Sequence, residues 1–335
     1  MAISTASYSP KEFQVLIAEQ DAFGTIEAGG GNAYHAMDVD SIGSPSLNPT
    51  QALDVRTGGR TLLVNDFFQD SKSAVKELSL SGTATTEVLD MLLENIMGEA
   101  EGSASGVYTF ASNAVTQNVG AGDSSQGGTL LSLVVKSAFG TNADLSFKDC
   151  VVTSLNLSGD TGTEGGRIKF SCTIKTGSVV EDLTDATTTV NTAISANKYV
   201  MSSWVAGYRQ LVGVADLVVQ SFSLNIENDA SFAGLVSTGY ELVSRAGEFS
   251  ATLDSTIKYD DKCEDFFEKL NNQTYGSTGA TLLNHQGSLA NDAFGISMPN
   301  SILTNVSFNE GDIMMLDVSV KALGSGSTAL LEVAC

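Results

Sequence analysis

Apolar and polar residues alternate through DCVVTSLNLS, cross a Gly-rich turn, DTGTEGG, and alternate again through RIKFSCTIK, over residues 149–175. A period of two is that of a half-buried strand, so the stretch predicts a hairpin with one face inward. Near the C-terminus, NSILTNVSFN, a turn EGD and IMMLDVSVK repeat the pattern. Side by side, Val151, Thr153, Leu155 and Leu157 match Ile302, Thr304, Val306 and Phe308. On the return strands, Ile168, Phe170, Cys172 and Ile174 match Met314, Leu316, Val318 and Val320. The opposite, polar faces then carry Asn156, Ser158, Ser171 and Thr173 in one hairpin, and Asn305, Ser307, Asp317 and Ser319 in the other.

The elements before each hairpin recur in one order. AVKELSLSGTA predicts a strand; Thr85-Thr86-Glu87 then opens a helix whose stripe is Val88, Leu89, Leu92, Leu93 and Ile96, with Gly98 placed to end it. GEFSATLDSTIKY is followed at once by a helix with stripe Cys263, Phe266, Phe267 and Leu270; Asp261 is expected as its N-cap, with Glu264 completing a capping box. GGTLLSLVVKSAFGTNADLSF before the first hairpin is answered by GATLLNHQGSLANDAFGISM before the second. The expected fold is mainly β, a β-sandwich or barrel with one flanking helix per repeat, internally duplicated. Residues 1–180 form the first domain, with a long excursion at 99–128 holding a short hairpin around VYTF. Residues 181–213 form a linker or arm, and 214–335 the second domain. At the N-terminus, Ser9-Pro10 fits a helix start, but the alternation of Phe13, Val15 and Ile17 favours a strand.

Composition narrows the classes of function. The chain has 335 residues, enough for about two domains with sizeable cores. Its 39 acidic and 17 basic residues give a formal charge of −22, spread over both halves. No clustered Lys and Arg are available to grip phosphates; solubility, a salty medium, or a surface that lets nucleic acid pass all fit the balance. Four cysteines without a C-x-x-C pattern predict neither a disulfide framework nor a zinc site, and fit a reducing compartment. Cys172 and Cys263 are expected inward, Cys150 on the opposite strand face. No export signal and no apolar run of membrane-spanning length is seen.

Candidate chemistry is sparse. The two histidines, His35 and His285, sit in polar surroundings, and no nucleophile, metalloprotease, Walker or dinucleotide motif occurs. GAGDSSQGG at 120–128 reads as a mobile loop. The acidic turns at 38–40, 160–164 and 309–312 lack EF-hand spacing, and turn chemistry accounts for their Asp, Asn and Gly. No enzyme, cofactor or metal is expected.

The opening VLIAEQDAFGTIE, a strand running into the Pro turn DSIGSPSLNP, then a sheet, one helix and a closing alternating hairpin resemble the major tail tube protein of long-tailed bacteriophages. The resemblance covers most of the chain. It implies a virion protein, assembled in the host cytoplasm into stacked rings around a lumen that conducts the genome. The partners implied are other copies of the chain, the tape-measure protein, tail tip and terminator proteins, and genomic DNA passing without specific binding. Single-domain members form hexameric rings, so a duplicated chain is expected to close a ring of three with pseudo-sixfold symmetry. The eight polar residues named above are then candidates for the lumen, though solvation outside fits them equally. The long excursion and the linker are expected to reach adjacent rings. The alternative is a non-catalytic acidic binding module, or another virion component such as a decoration protein or adhesin.

Overall fold

The computed structural model describes residues 13–20, 23–24, 34–43, 46, 49–53, 66–98, 103–104, 107–112, 130–137, 145–178, 181–182, 190–191, 199–201, 204, 208–245, 248–272, 279–283, 294–324 and 329–335. The first half supplies β1 (Phe13–Gln20), β2 (Tyr34–Ala36), β3 (Val39–Ile42), β4 (Thr50–Leu53), β5 (Phe67–Asp70), β6 (Lys76–Thr83), helix α1 (Thr86–Met97), β7 (Ser103–Ala104), β8 (Val107–Ser112), β9 (Leu130–Ser137), β10 (Leu145–Asp160) and β11 (Lys169–Thr176). Short strands β12 (Glu181–Asp182), β13 (Val190–Asn191) and β14 (Arg209–Gln210) follow. The second half supplies β15 (Val219–Glu227), β16 (Ala230–Val236), β17 (Gly239–Arg245), β18 (Ser250–Lys258), helix α2 (Glu264–Asn272), β19 (Gly279–Leu283), β20 (Gly295–Glu310), β21 (Met314–Ala322) and β22 (Leu331–Ala334). The protein is thus mainly β with two flanking α-helices. All but four strands join one connected sheet system; β4–β5 and β16–β17 are separate two-stranded hairpins.

The spine of that system is an antiparallel run in the order β3, β6, β11, β10, β15, β18, β21, β20. The two hairpins read from the sequence, β10–β11 and β20–β21, lie in this single sheet. They are joined through β15 and β18, with β10 pairing β15 from Ser154 opposite Glu227 to Asp160 opposite Ser221. Leu155, Leu157, Phe170, Cys172, Leu224, Ile226, Leu253, Leu316 and Val318 fill the inner face and are fully buried. Each such side chain stabilises the fold by about 1.5–3 kcal/mol through water removed from apolar surface.

Period-two alternation is interrupted by bulges, and these explain three departures from the sequence reading. One bulge falls between Val152 and Ser154, so Val152 faces the main core while Val151 packs on the opposite side with Leu130 and Val243. Val151 therefore does not share a face with Leu155, as strict alternation had it. Between Phe147 and Cys150 a second shift, with Asp149 at φ +54°, turns Cys150 inward to 1 % exposure. Across that same shift, ADLSF and DCVVTSLNLS become one strand rather than two.

The helices behave as amphipathic lids. Thr85 is the N-cap residue of α1 and Gly98, at φ +106°, ends it, while the predicted stripe is wholly buried. The second helix is entered one residue earlier than expected. Asp260, not Asp261, accepts from the Lys262 N–H at 3.1 Å, and a 3₁₀ turn over Asp261–Cys263 leads into α2. Cys263 and Phe266 are buried, with Phe267 and Leu270 partly so.

Described parts of the expected linker belong to the core. Tyr199, Met201 and Trp204 are buried, the Trp204 Nε1–H donates to the Phe294 carbonyl at 2.9 Å, and its ring lies 5.1 Å from that of Phe222. This segment covers the inner face at the end of the first hairpin instead of hanging free. The short hairpin in the long excursion is β7–β8, and β8 also pairs with β22. The 120–128 loop, His285 and the Ser9-Pro10 helix start lie outside the described residues.

Candidate functional site

The eight polar residues predicted to share a function come from two hairpins far apart in sequence, and the pairing register brings them onto one face. Ser41, Ser81, Ser171, Asn156, Asn225, Thr252 and Lys321 stand opposite one another from strand to strand, from β3 to β21. A neighbouring row runs Ser158, Ser223, Asp254, Ser319 and Asn305. A third runs Asp160, Ser221, Thr256, Asp317 and Ser307. Thr173 completes the set opposite Ser154. Because side chains in a strand alternate, the surface behind this polar face is the apolar core.

Polar groups on this face satisfy one another. The Asn156 side-chain amide donates to Ser223 Oγ at 2.8 Å, Thr256 Oγ1 to Asp317 Oδ1 at 2.7 Å and Ser319 Oγ to Asp254 Oδ1 at 2.5 Å. Two lysines are neutralised at its rim, Lys169 by Asp40 at 2.8 Å and Lys175 by Asp229 at 3.0 Å. Burial works against ionisation of Asp229, but the Ala230 N–H and Lys175 outweigh it and hold the carboxyl below its ordinary range. Asp160 is likewise held low, by the Thr163 hydroxyl first and then the Gly162 N–H. Its oxygens are used by the turn: Gly162 N and Thr163 Oγ1 each donate at 2.7 Å. The face is thus a broad hydroxyl and amide surface whose carboxylates Asp254 and Asp317 accept from neighbouring hydroxyls, with no cluster of cations among the described residues to hold a phosphate. Among the described residues, no group of three or more His, Cys, Asp or Glu could hold a metal.

Sequence reasoning nominated only the hairpin residues. It left out Ser81, Ser223, Asn225, Thr252, Asp254 and Thr256, although the same alternation in KELSLSGT, SFSLNIEN and SATLDSTIK marks their outward positions.

Two edges of the sheet bound this face. Among the described residues, β3 is flanked by a strand only on its β6 side, and residues 304–310 of β20 only on their β21 side. Phe308 is 51 % exposed, Ile313 63 % and Met314 38 %, whereas Leu157 and Ile168, the counterparts of Phe308 and Met314 in the first hairpin, are 0 % exposed. Unpaired edges beside exposed apolar residues are templates for pairing with another chain.

A mainly β protein with a large polar face and two strand edges unpaired among the described residues has the features of a structural protein. The phage tail tube protein family matches residues 13–322, and the chain belongs to that family. No curated protein matches it. It is a structural component of the phage tail, and no helix among the described residues is long and apolar enough to cross a membrane.

Proposed function

We propose that three copies close into a ring with pseudo-sixfold outline, that rings stack into the tail tube, and that the polar face of the long sheet lines the lumen. The carrying observation is that all eight nominated residues lie on one continuous face whose reverse is buried core. A lining of hydroxyls and amides already bonded to one another offers DNA little to replace, and a face that carries carboxylates and no cluster of lysines offers its phosphates no anchor. The tape-measure protein occupies the lumen during assembly in the host cytoplasm, tip and terminator proteins close its ends, and genomic DNA passes without specific binding.

Internal duplication supports the ring of three. We infer two units, 1–180 and 214–335, in which β3, β6, β11 and β10 correspond to β15, β18, β21 and β20. Two bulge positions match. Register shifts fall at Asp40 and Gln220, and again at Thr153 and Thr304. At the second pair even the side-chain bond repeats: Thr153 Oγ1 donates to the Thr173 carbonyl at 3.3 Å, and Thr304 Oγ1 to the Ser319 carbonyl at 3.0 Å. The accepting carbonyls correspond as well, since Thr173 and Ser319 occupy the same register position.

Negative-stain electron microscopy of the purified chain over a range of concentration and salt, with light scattering for mass, tests this reading. Rings or hollow tubes with a threefold or pseudo-sixfold outline are expected. A species of one-chain mass at every concentration and salt, with no rings when tail initiator is added, overturns it.

A further inference from the structure

Lys76 opens β6 on the buried side of the sheet, 3 % exposed, and its Nζ has no hydrogen-bond partner. Two strands away, the shift between Phe147 and Cys150 turns the Cys150 thiol toward the same core. The two residues line one cavity of about 10 Å³, walled also by Leu78, Leu133, Phe147 and Thr176, with room for a single water-sized molecule. We propose that Lys76 and Cys150 form an oxidation-dependent covalent bridge, an Nζ–Sγ sulfenamide made with peroxide as oxidant, that ties β6 to β10 across β11. This goes beyond the tail-tube reading and does not depend on it.

The register sets the span. Lys76 stands opposite Thr176, and Val151 opposite Lys175, so Cys150 takes the next position on the far side of Thr176. Two strand spacings separate the Cα atoms, about 9.5 Å, which a four-carbon stem and a thiol together cover. The hydroxyl between them is engaged elsewhere: Thr176 Oγ1 donates to the Lys148 carbonyl at 2.5 Å and accepts from the Ser178 N–H at 3.0 Å.

The matching row of the second hairpin lacks both reactants. Ser301 stands opposite Ala322, and Thr252 opposite Lys321, so Ala251 holds the place of Lys76 and Ser301 that of Cys150. Ala251 is fully buried, and the Ser301 hydroxyl donates to the Gly279 carbonyl at 2.6 Å. Amine and thiol occur together in one half of the chain and are absent together from the other.

Burial pushes the Cys150 thiol well above its ordinary range, and Asp149 adds to the shift, so the step needs a base in the cavity. Burial also pushes the Lys76 amine down, against Asp70, which favours its neutral, nucleophilic form. The amine takes the thiol proton and sulfur attacks peroxide; the S–O bond forms, the O–O bond breaks, and the leaving hydroxide recovers the proton from the ammonium as water. The neutral amine then attacks Sγ; the N–S bond forms, the S–O bond breaks, and hydroxide leaves with one amine proton as a second water. Sulfur is oxidised by two electrons and peroxide is reduced to water. An unpaired buried amine and a buried thiol become one neutral link, which removes the cost of leaving the amine without a partner.

Mass spectrometry tests the bridge: the folded full chain is treated with hydrogen peroxide, then alkylated, unfolded and digested. Expected is one pair of peptides joined at Lys76 and Cys150, lighter by two hydrogen atoms than its free parts, uncut by trypsin after Lys76 and released by dithiothreitol. Cys172, Cys263 and Cys335 are internal controls, buried likewise and with no unpartnered amine among the described residues to join. Lys76→Met and Cys150→Ser are each expected to abolish the pair, and with it a dithiothreitol-reversible rise in the melting temperature of the oxidised chain. Recovery of Cys150 as free thiol or sulfinic acid, with trypsin still cutting after Lys76, overturns the proposal. So does loss of the same two hydrogens from the Cys150 peptide alone in Lys76→Met, which assigns the bonded nitrogen to the backbone.

Discussion

Hairpins β10–β11 and β20–β21 share pattern, register and bulge, yet they live in different surroundings. The inner residues of the first are sealed by β15, Trp204, Phe222 and Met201; those at the tip of the second are open. Even the gap that the Thr153 bulge leaves in the hydrogen-bond ladder is filled from elsewhere. Asn95 of α1 accepts from the Val152 N–H at 2.6 Å, while Arg245 of β17 donates to the Val152 and Asn228 carbonyls at 2.7 Å and to the Asn95 carbonyl. The two hairpins thus differ in what covers them, and local sequence alone does not distinguish the two.

The sharpest way to break the comparison is to place a charge at matching positions. Leu157→Asp buries a carboxylate without a partner and is expected to cost more than about 4 kcal/mol, leaving little folded protein. Phe308→Asp, at a half-exposed site whose ring packs on those of Tyr259 and Phe267, is expected to cost about 1 kcal/mol in the monomer yet abolish rings. Thermal unfolding and microscopy of the two variants give both readouts. Equal losses of stability would show that the two tips are not differently covered.

Next in size is the brace. Arg245→Met keeps the length of the side chain but removes the donors to three buried carbonyls, for an expected loss of about 3 kcal/mol. Burial already pushes the guanidinium down to about 9, with Asp229 opposing that shift. Denaturant titration measures the loss; a change below about 1 kcal/mol would mean that the bulge stands without its brace.

A smaller effect joins the C-terminus to the first helix. Burial raises Asp90 to about 6, and the Cys335 thiol, which donates to it at 3.0 Å, only partly offsets this. The folded state therefore binds the proton more tightly than the unfolded chain, whose carboxyl titrates near 3.9. Stability from this group is present below about pH 4 and is lost as pH rises to about 6. Asp90→Asn is expected to stabilise by about 1 kcal/mol at pH 7, discounted for partial exposure, and by nothing at pH 3.5. A gain that persists at pH 3.5 would exclude titration as its cause.

Much of this was legible in the sequence because the information was periodic. The stripe of α1, its Gly98 end and the alternation of both hairpins are amphipathic signals, and they placed the helix and strands, with all eight polar residues opposite the buried core. Bulges were not legible: a single residue inserted at Thr153 or Asp149 reverses the facing of everything before it, and no local propensity marks it. Asn95, in the middle of an apolar stripe, was a visible anomaly whose meaning needed its partner Arg245, 150 residues away. Tyr199, Met201 and Trp204 carry no periodicity, so a segment that seals the core read as a linker. Which polar face borders an open edge is a property of pairing between halves, and only the register shows it.

The finest test of the comparison uses the matched threonines at the bulges. Thr153→Val removes a hydroxyl that donates to the Thr173 carbonyl where water has poor access, at an expected cost of about 1 kcal/mol, or about 2 °C in Tm for a chain of this size. Thr304→Val removes the equivalent bond at an exposed site, where water replaces it, and is expected to cost no more than about 0.3 kcal/mol in the monomer. In rings joined along this edge, water is excluded from residue 304 as it is from residue 153. The two substitutions are then expected to lower the melting temperature of assembled rings equally. An asymmetry that survives assembly would mean that β20 remains an open edge in the ring, and that its neighbours meet through some other surface.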